Sequence, residues 1–103
     1  MQVIWNTEAV QQLDRLLDYV GQEFGQRVMQ SLYTRLLSYE PLLAANPGMG
    51  RKEPLLEGHP KGFRSLVVHK YCKIIYYVDG DTLYIADLWD TRREPRAQAG
   101  DVK

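Results

Sequence analysis

Cysteine is almost missing from this chain of 103 residues: Cys72 stands alone, so an intrachain disulfide and a cysteine-based zinc site are both excluded. A reducing cytoplasm is the expected setting. Histidine is nearly as scarce, leaving His59 and His69 as the only side chains that ordinarily titrate near neutral pH. No apolar run approaches the roughly 18 residues of a membrane span, and the N-terminus lacks a basic and then apolar leader, so no membrane contact is expected. The formal net charge is zero, which argues against a protein that grips nucleic acid by its bulk field. There is no internal repeat and no low-complexity segment.

The length fits one domain with a sizeable core, and 45% hydrophobic with 25% charged residues is far from a disordered composition. The seven tyrosines are the one excess. Charge divides unevenly: residues 1–50 hold three Arg and five acids, and residues 51–103 hold ten Lys or Arg and eight acids. A polyanion contact would therefore use the second half.

"QVIWN" at residues 2–6 alternates as a short strand. Asn6 or Thr7 offers a helix cap, with Glu8 in the first turn where the helix dipole favours an anion. Val10, Leu13, Leu17, Val20 and Phe24 form an apolar stripe at spacings of three and four, and Gly25 marks a stop. Met29, Leu32, Leu36, Tyr39 and Leu43 repeat the pattern at once, so two antiparallel helices joined by a very short turn are predicted. Pro41 should kink the second helix without ending it, because Leu42 and Leu43 continue the apolar run. Residues 46–62 are rich in Gly and Pro and predict a long irregular connection.

Three strands are predicted next, over 63–70, 71–78 and 82–89, with Asp79-Gly80 as a tight hairpin signal. The fold class is α+β: an N-terminal strand, an antiparallel helical hairpin, then a three-stranded antiparallel meander completing one sheet. Residues 1–95 make a single domain and 96–103 a flexible tail. Strict alternation puts Cys72, Ile74, Tyr76 and Val78 on one face with Leu83, Ile85, Asp87 and Trp89. Tyr71, Lys73, Ile75 and Tyr77 then share the other face with Tyr84, Ala86 and Leu88, and this face is the one expected to stay clear of the helices. Cys72 is read as a small buried apolar residue and Asp87 as a buried acid paired to an arginine.

The segments "TEAVQQLDRLLDYV", "NPGMGR", "GFR", "YCKIIYYV" and "LWDTRREP", in this order and spacing, give a chain that resembles the RelE/ParE superfamily of bacterial toxins from type II toxin-antitoxin pairs. The resemblance covers residues 3–95 and favours the ParE-like branch. It implies a growth-inhibiting toxin of a plasmid stabilisation or addiction module, neutralised by a cognate antitoxin and acting by contact with DNA gyrase. It also implies operator binding through the antitoxin. The alternative is a ribosome-dependent mRNA endoribonuclease of RelE type, for which Arg64, Lys73 and Arg92 fall where such members carry basic residues. Attack by a ribose 2′-hydroxyl needs a proton carrier as well as cations, and arginine stays protonated, so the set lacks an obvious base. No catalytic residue is assigned, and nothing points to a metal or an organic cofactor.

Arg64, Lys73, Tyr77, Trp89, Arg92 and Arg93 are the target-binding candidates, with solvated strand termination as the rival reading of the last two. Arg64 stands equally well as an edge ion-pair residue. His59 reads as a surface loop residue, and His69 should point away from Arg64. Met29, Tyr33 and Leu37 are candidates for antitoxin contact, with core packing as the competing role for each.

Overall fold

The structure, a computed structural model, describes residues 1–70 and 72–90. Strand β1 (Gln2–Trp5) leads into helices α1 (Thr7–Phe24) and α2 (Gln26–Ala45). Strands β2 (Arg51–Lys52), β3 (Arg64–His69), β4 (Cys72–Asp79) and β5 (Thr82–Asp90) follow, with one 3-10 turn at Pro54–Leu56. They make one mixed sheet in the order β1-β5-β4-β3-β2. Among the described residues, the β1–β5 pairing is parallel and the others are antiparallel. The α+β class, the hairpin, the meander and the joining of the first strand to the sheet are all as the sequence predicts. The two-residue β2 inside the Gly- and Pro-rich connection is not.

Asn6 occupies the cap of α1, but its side chain makes no capping bond there. Its backbone works on both sides instead: its N–H donates to the Ile85 carbonyl at 2.9 Å, and its carbonyl accepts from Val10 N–H at 3.1 Å. The strand ladder thus passes directly into the helix. Gly25 is at once the last cap of α1 and the first of α2, at φ 92°, a conformation that L side chains rarely adopt. This single residue reverses the chain. Gly21 on α1 faces Met29 on α2, and at the far end Trp5 Nε1 donates to Glu40 Oε1 at 2.7 Å. α2 runs through Pro41 to Ala45, as the apolar run past the proline requires.

The helices pack Ala9, Leu13, Val20, Leu32, Leu36 and Leu43 against Ile74, Tyr76, Leu83, Ile85 and Leu88. Two members of the predicted α1 stripe are corrected: Val10 is 43% and Phe24 59% exposed. Ala9, a residue too small to mark the periodicity, is fully buried in their stead.

The larger correction concerns the faces of β5. Ile75 lies opposite Asp87, yet its neighbour Tyr76 lies opposite Ile85, so Ala86 is an extra residue, a β-bulge. Beyond it the alternation inverts. Leu88, expected on the face away from the helices, packs in the helix-side core, and Asp87 and Trp89 turn to the face of Lys73. A second register shift between Val67 and His69 does the same for β3 and brings His69 opposite Cys72.

Candidate functional site

The sheet face turned away from the helices carries Lys73, Ile75 and Tyr77 from β4 with Tyr84, Asp87 and Trp89 from β5. It is not bare. The connection after β2 folds across part of it, and Phe63, Ile75 and Trp89 form a small second core there with Leu56, Tyr77 and Ala86 against it. The connection is held by its own turns, with Glu53 N–H donating to the Phe63 carbonyl at 3.0 Å and Gly62 N–H to that of His59 at 3.0 Å.

Glu53 is the residue that ties this connection to the sheet. Its carboxylate is 2% exposed and receives the Lys73 ammonium at 2.9 Å. Leu55 N–H reaches it at 3.4 Å, and the buried Ser65 hydroxyl also donates to it. Burial alone would push this carboxyl up. The bonds from Ser65 and Lys73, the Lys73 charge and the Leu55 N–H outweigh burial and hold it below its ordinary value. The Lys73 ammonium also lies 5.0 Å from the centre of the Trp89 ring. Trp89 Nε1 in turn donates to Asp87 Oδ2 at 3.2 Å, and the other Asp87 oxygen accepts from Leu88 N–H at 2.8 Å. Asp87 is buried, as expected, and these two bonds come from Trp89 and Leu88, where the sequence predicts an arginine.

Toward the β4–β5 turn the same face becomes aromatic and half-buried. Tyr77 and Tyr84 stack at 5.1 Å with 17° between their planes, and Phe63 meets Tyr77 edge-on at 5.4 Å. The Lys61 ammonium lies 4.8 Å from the centre of the Tyr77 ring.

Arg64 is elsewhere. It pairs with Tyr76 across β3–β4, so it belongs to the helix side of the sheet, whereas Lys73 belongs to the reverse. The expected grouping of these two cations is not formed. Arg64 Nη1 donates to the Gly50 carbonyl at 2.8 Å. The fully buried Tyr76 hydroxyl accepts from Gly50 N–H at 2.8 Å and donates to the Pro47 carbonyl at 2.7 Å. Burial pushes the Tyr76 phenol up, opposed by the Gly50 bond and the Arg64 charge. Arg92 and Arg93 lie outside the described residues, as do Tyr71 and the expected tail.

Of the histidines, His59 accepts from Lys61 N–H through Nδ1 at 3.2 Å and meets Phe63 edge-on at 4.8 Å, a loop-building role. His69 lines a groove on the other side of the molecule. That groove, about 320 Å³ and largely apolar, runs between α1, α2 and the end of β3 and is walled by Leu16, Tyr19, Phe24, Val28 and Leu32. It was not legible because Phe24 completes a helical stripe so well that it reads as core. Of the antitoxin-contact candidates, Met29 packs partly buried against the core, while Tyr33 and Leu37 are exposed on α2.

Chemically, then, the described residues offer ion-paired, hydrogen-bonded and aromatic surfaces, with no set of three His, Cys, Asp or Glu that could hold a metal ion among them. Among the described residues no helix is long and apolar enough to cross a membrane.

The family model described as ParE toxin of type II toxin-antitoxin system, parDE, matches residues 3–95. The chain belongs to the ParE toxin family. Membership in a toxin-antitoxin family implies a cognate antitoxin partner. Among solved structures, a chain of the chromosomal ParDE toxin-antitoxin system from P. aeruginosa is similar with a TM-score of 0.71 and 20% identity. That match covers 87% of this chain and 95% of the other, a likeness of fold. No curated protein matches in sequence.

Proposed function

We propose that this ParE-family toxin acts in the cytoplasm by binding DNA gyrase, and that a cognate antitoxin neutralises it by covering the apolar groove between α1, α2 and β3. The observation that carries the gyrase reading over RNA cleavage is the separation of Arg64 and Lys73. They stand on opposite sides of the sheet, one bound to the Gly50 carbonyl and the other to Glu53. RNA cleavage needs cations converging on one phosphate with a proton carrier beside them. A protein target needs only a preorganised surface, which the Tyr77–Tyr84 stack beside Lys61 supplies. Arg92 and Arg93 extend the target-contact set on sequence grounds.

An antitoxin segment presenting two or three bulky apolar side chains suits the groove, in the manner of a helix or strand laid into a hydrophobic cleft. Operator DNA is reached through the antitoxin, which also supplies the partner in any such complex.

Induction of the toxin without antitoxin, with the chromosome and the transcripts scored in the same culture, tests the target. Double-strand breaks and filamentation with intact mRNA are expected. Truncated transcripts beside intact DNA would establish the endoribonuclease alternative built on Arg64, Lys73 and Arg92, and unaffected growth would mark an inactive toxin.

A further inference from the structure

We infer that Glu53 is a specificity-determining residue: by capturing Lys73 it keeps this face from holding nucleic acid and leaves it to protein partners. The inference rests on the assignment of the chain as a protein-binding toxin and names the residue that enforces it. Affinity for a phosphate chain comes largely from cations that displace condensed counterions, and a lysine contributes only when its ammonium can reach a phosphate. The connection supplies two such groups on the Lys73 face: Arg51, which lies opposite Ser65 and so shares the face of Ile75, and Lys61, whose ammonium lies 4.8 Å from the Tyr77 ring, whereas Lys52 pairs with Arg64 on the helix side. Lys73 projects from the reverse face into the same region and would add to them.

It cannot do so while Glu53 is in place. The Lys73 side chain is 15% exposed and that of Glu53 1%, with 2.9 Å between ammonium and carboxylate. The carboxylate cannot follow the lysine outward, because Leu55 N–H and Ser65 hold it from the protein side. Trp89 beneath the ammonium favours the same position. The lysine is thus neutralised inside the protein by an acid that no external phosphate can replace without leaving a buried carboxylate unpaired. With Glu53 uncharged, the flexible four-carbon stem would carry the ammonium to water, on the face that also holds Arg51 and Lys61.

Two measurements test this. Binding of a single-stranded RNA oligonucleotide, followed by fluorescence anisotropy at low salt, should tighten by roughly fivefold in Glu53→Gln, with the log–log salt slope steeper by about 0.7. The double variant Glu53→Gln/Lys73→Gln should return to the wild-type affinity. A Glu53→Gln protein that binds like wild type, or a double variant as tight as the single, overturns the inference. Because Glu53→Gln removes a buried ion pair, the second measurement uses the unaltered chain: acetylation of Lys73 should be at least about tenfold slower than that of exposed Lys52, and equal rates overturn the inference by themselves. Neither readout involves gyrase. A chain that leaves gyrase untouched yet passes both would overturn the gyrase assignment alone.

Discussion

The Tyr76 hydroxyl oxygen lies 2.8 Å from the backbone nitrogen of Gly50, joining the middle of β4 to the loop that follows α2. The same hydroxyl donates to Pro47 at 2.7 Å, so one phenol satisfies two backbone groups of the "NPGMGR" segment. Replacing it, Tyr76→Phe, leaves the Gly50 N–H and the Pro47 carbonyl without their partner while keeping the ring volume. A loss of about 1–3 kcal/mol in urea unfolding is expected. Because the phenol is fully buried on the helix side, toxicity should fall only in step with folded protein.

Gly50 is fixed by space rather than by backbone freedom. A Cβ there would stand 2.6 Å from the Ser65 carbonyl oxygen and 2.8 Å from the Tyr76 ring and hydroxyl. The first of these is backbone in a paired strand and cannot give way easily. Gly50→Ala should therefore cost about 1–3 kcal/mol, whereas Gly48→Ala, with nothing within 4 Å, should stay within about 0.5 kcal/mol of wild type. Thermal unfolding of the two variants side by side provides the measurement.

The Glu53–Lys73 pair makes stability depend on pH in a definite direction. The Glu53 carboxyl is held below its ordinary value of 4.5, so the folded state favours the ionised form. Its contribution is fully present above pH 4.5 and is lost as pH falls through the lower folded-state value. Glu53→Gln strands Lys73 and should cost about 3 kcal/mol at pH 7, near the low end for a broken buried pair because the lysine keeps a path to water. In acid that difference should narrow as Glu53 takes up its proton. Urea titrations of both proteins at pH 7 and at pH 3 check it, and a gap that persists unchanged at pH 3 would contradict the linkage.

Element order was readable because each signal is local. Asp79-Gly80 specifies its hairpin, Gly25 its reversal, and two stripes at spacings of three and four their helices. The faces of β5 were not readable beyond Ala86. A bulge adds one residue, and one residue exchanges every side chain between the faces. Nothing in "LYIADLWD" marks Ala86 as the extra residue. Strict alternation consequently placed Trp89 with Cys72, when it packs beside Lys73. Arg64 was grouped with Lys73 by sequence analogy, although β3–β4 pairing sets it opposite Tyr76. Glu53 was invisible because it lies in an aperiodic connection. Its one forewarning was a lysine among apolar strand residues, which needs a counter-charge once it is covered.

Cys72 should be chemically silent in the native state. Burial, reinforced by the negative charge of Asp90, pushes its thiol up to about 12 from an ordinary 9.0. At pH 8 the thiolate population should drop roughly a thousandfold relative to an exposed cysteine. Labelling with a disulfide reagent should be suppressed by at least that factor in the folded chain and become rapid in 6 M guanidinium. Fast labelling of the native protein would show that the β4 end opens far more readily than its packing allows.

The groove between the helices and the end of β3 separates two positions for the antitoxin. If the antitoxin fills that groove, Phe24→Ser should weaken the complex by about tenfold or more, since a large aromatic at the centre of an apolar contact carries much of the binding energy. The free toxin should hardly notice, because Phe24 is 59% exposed and its removal opens no cavity; a change within about 0.5 kcal/mol is expected. Leu37→Ser tests the outer surface of α2, where Leu37 is exposed near Tyr33 and away from the groove. Calorimetric titration of each variant with the antitoxin compares them directly. A Leu37→Ser effect larger than that of Phe24→Ser would move the antitoxin onto α2, whereas the reverse ranking assigns it to the cleft that Tyr19, Phe24 and Val28 leave open.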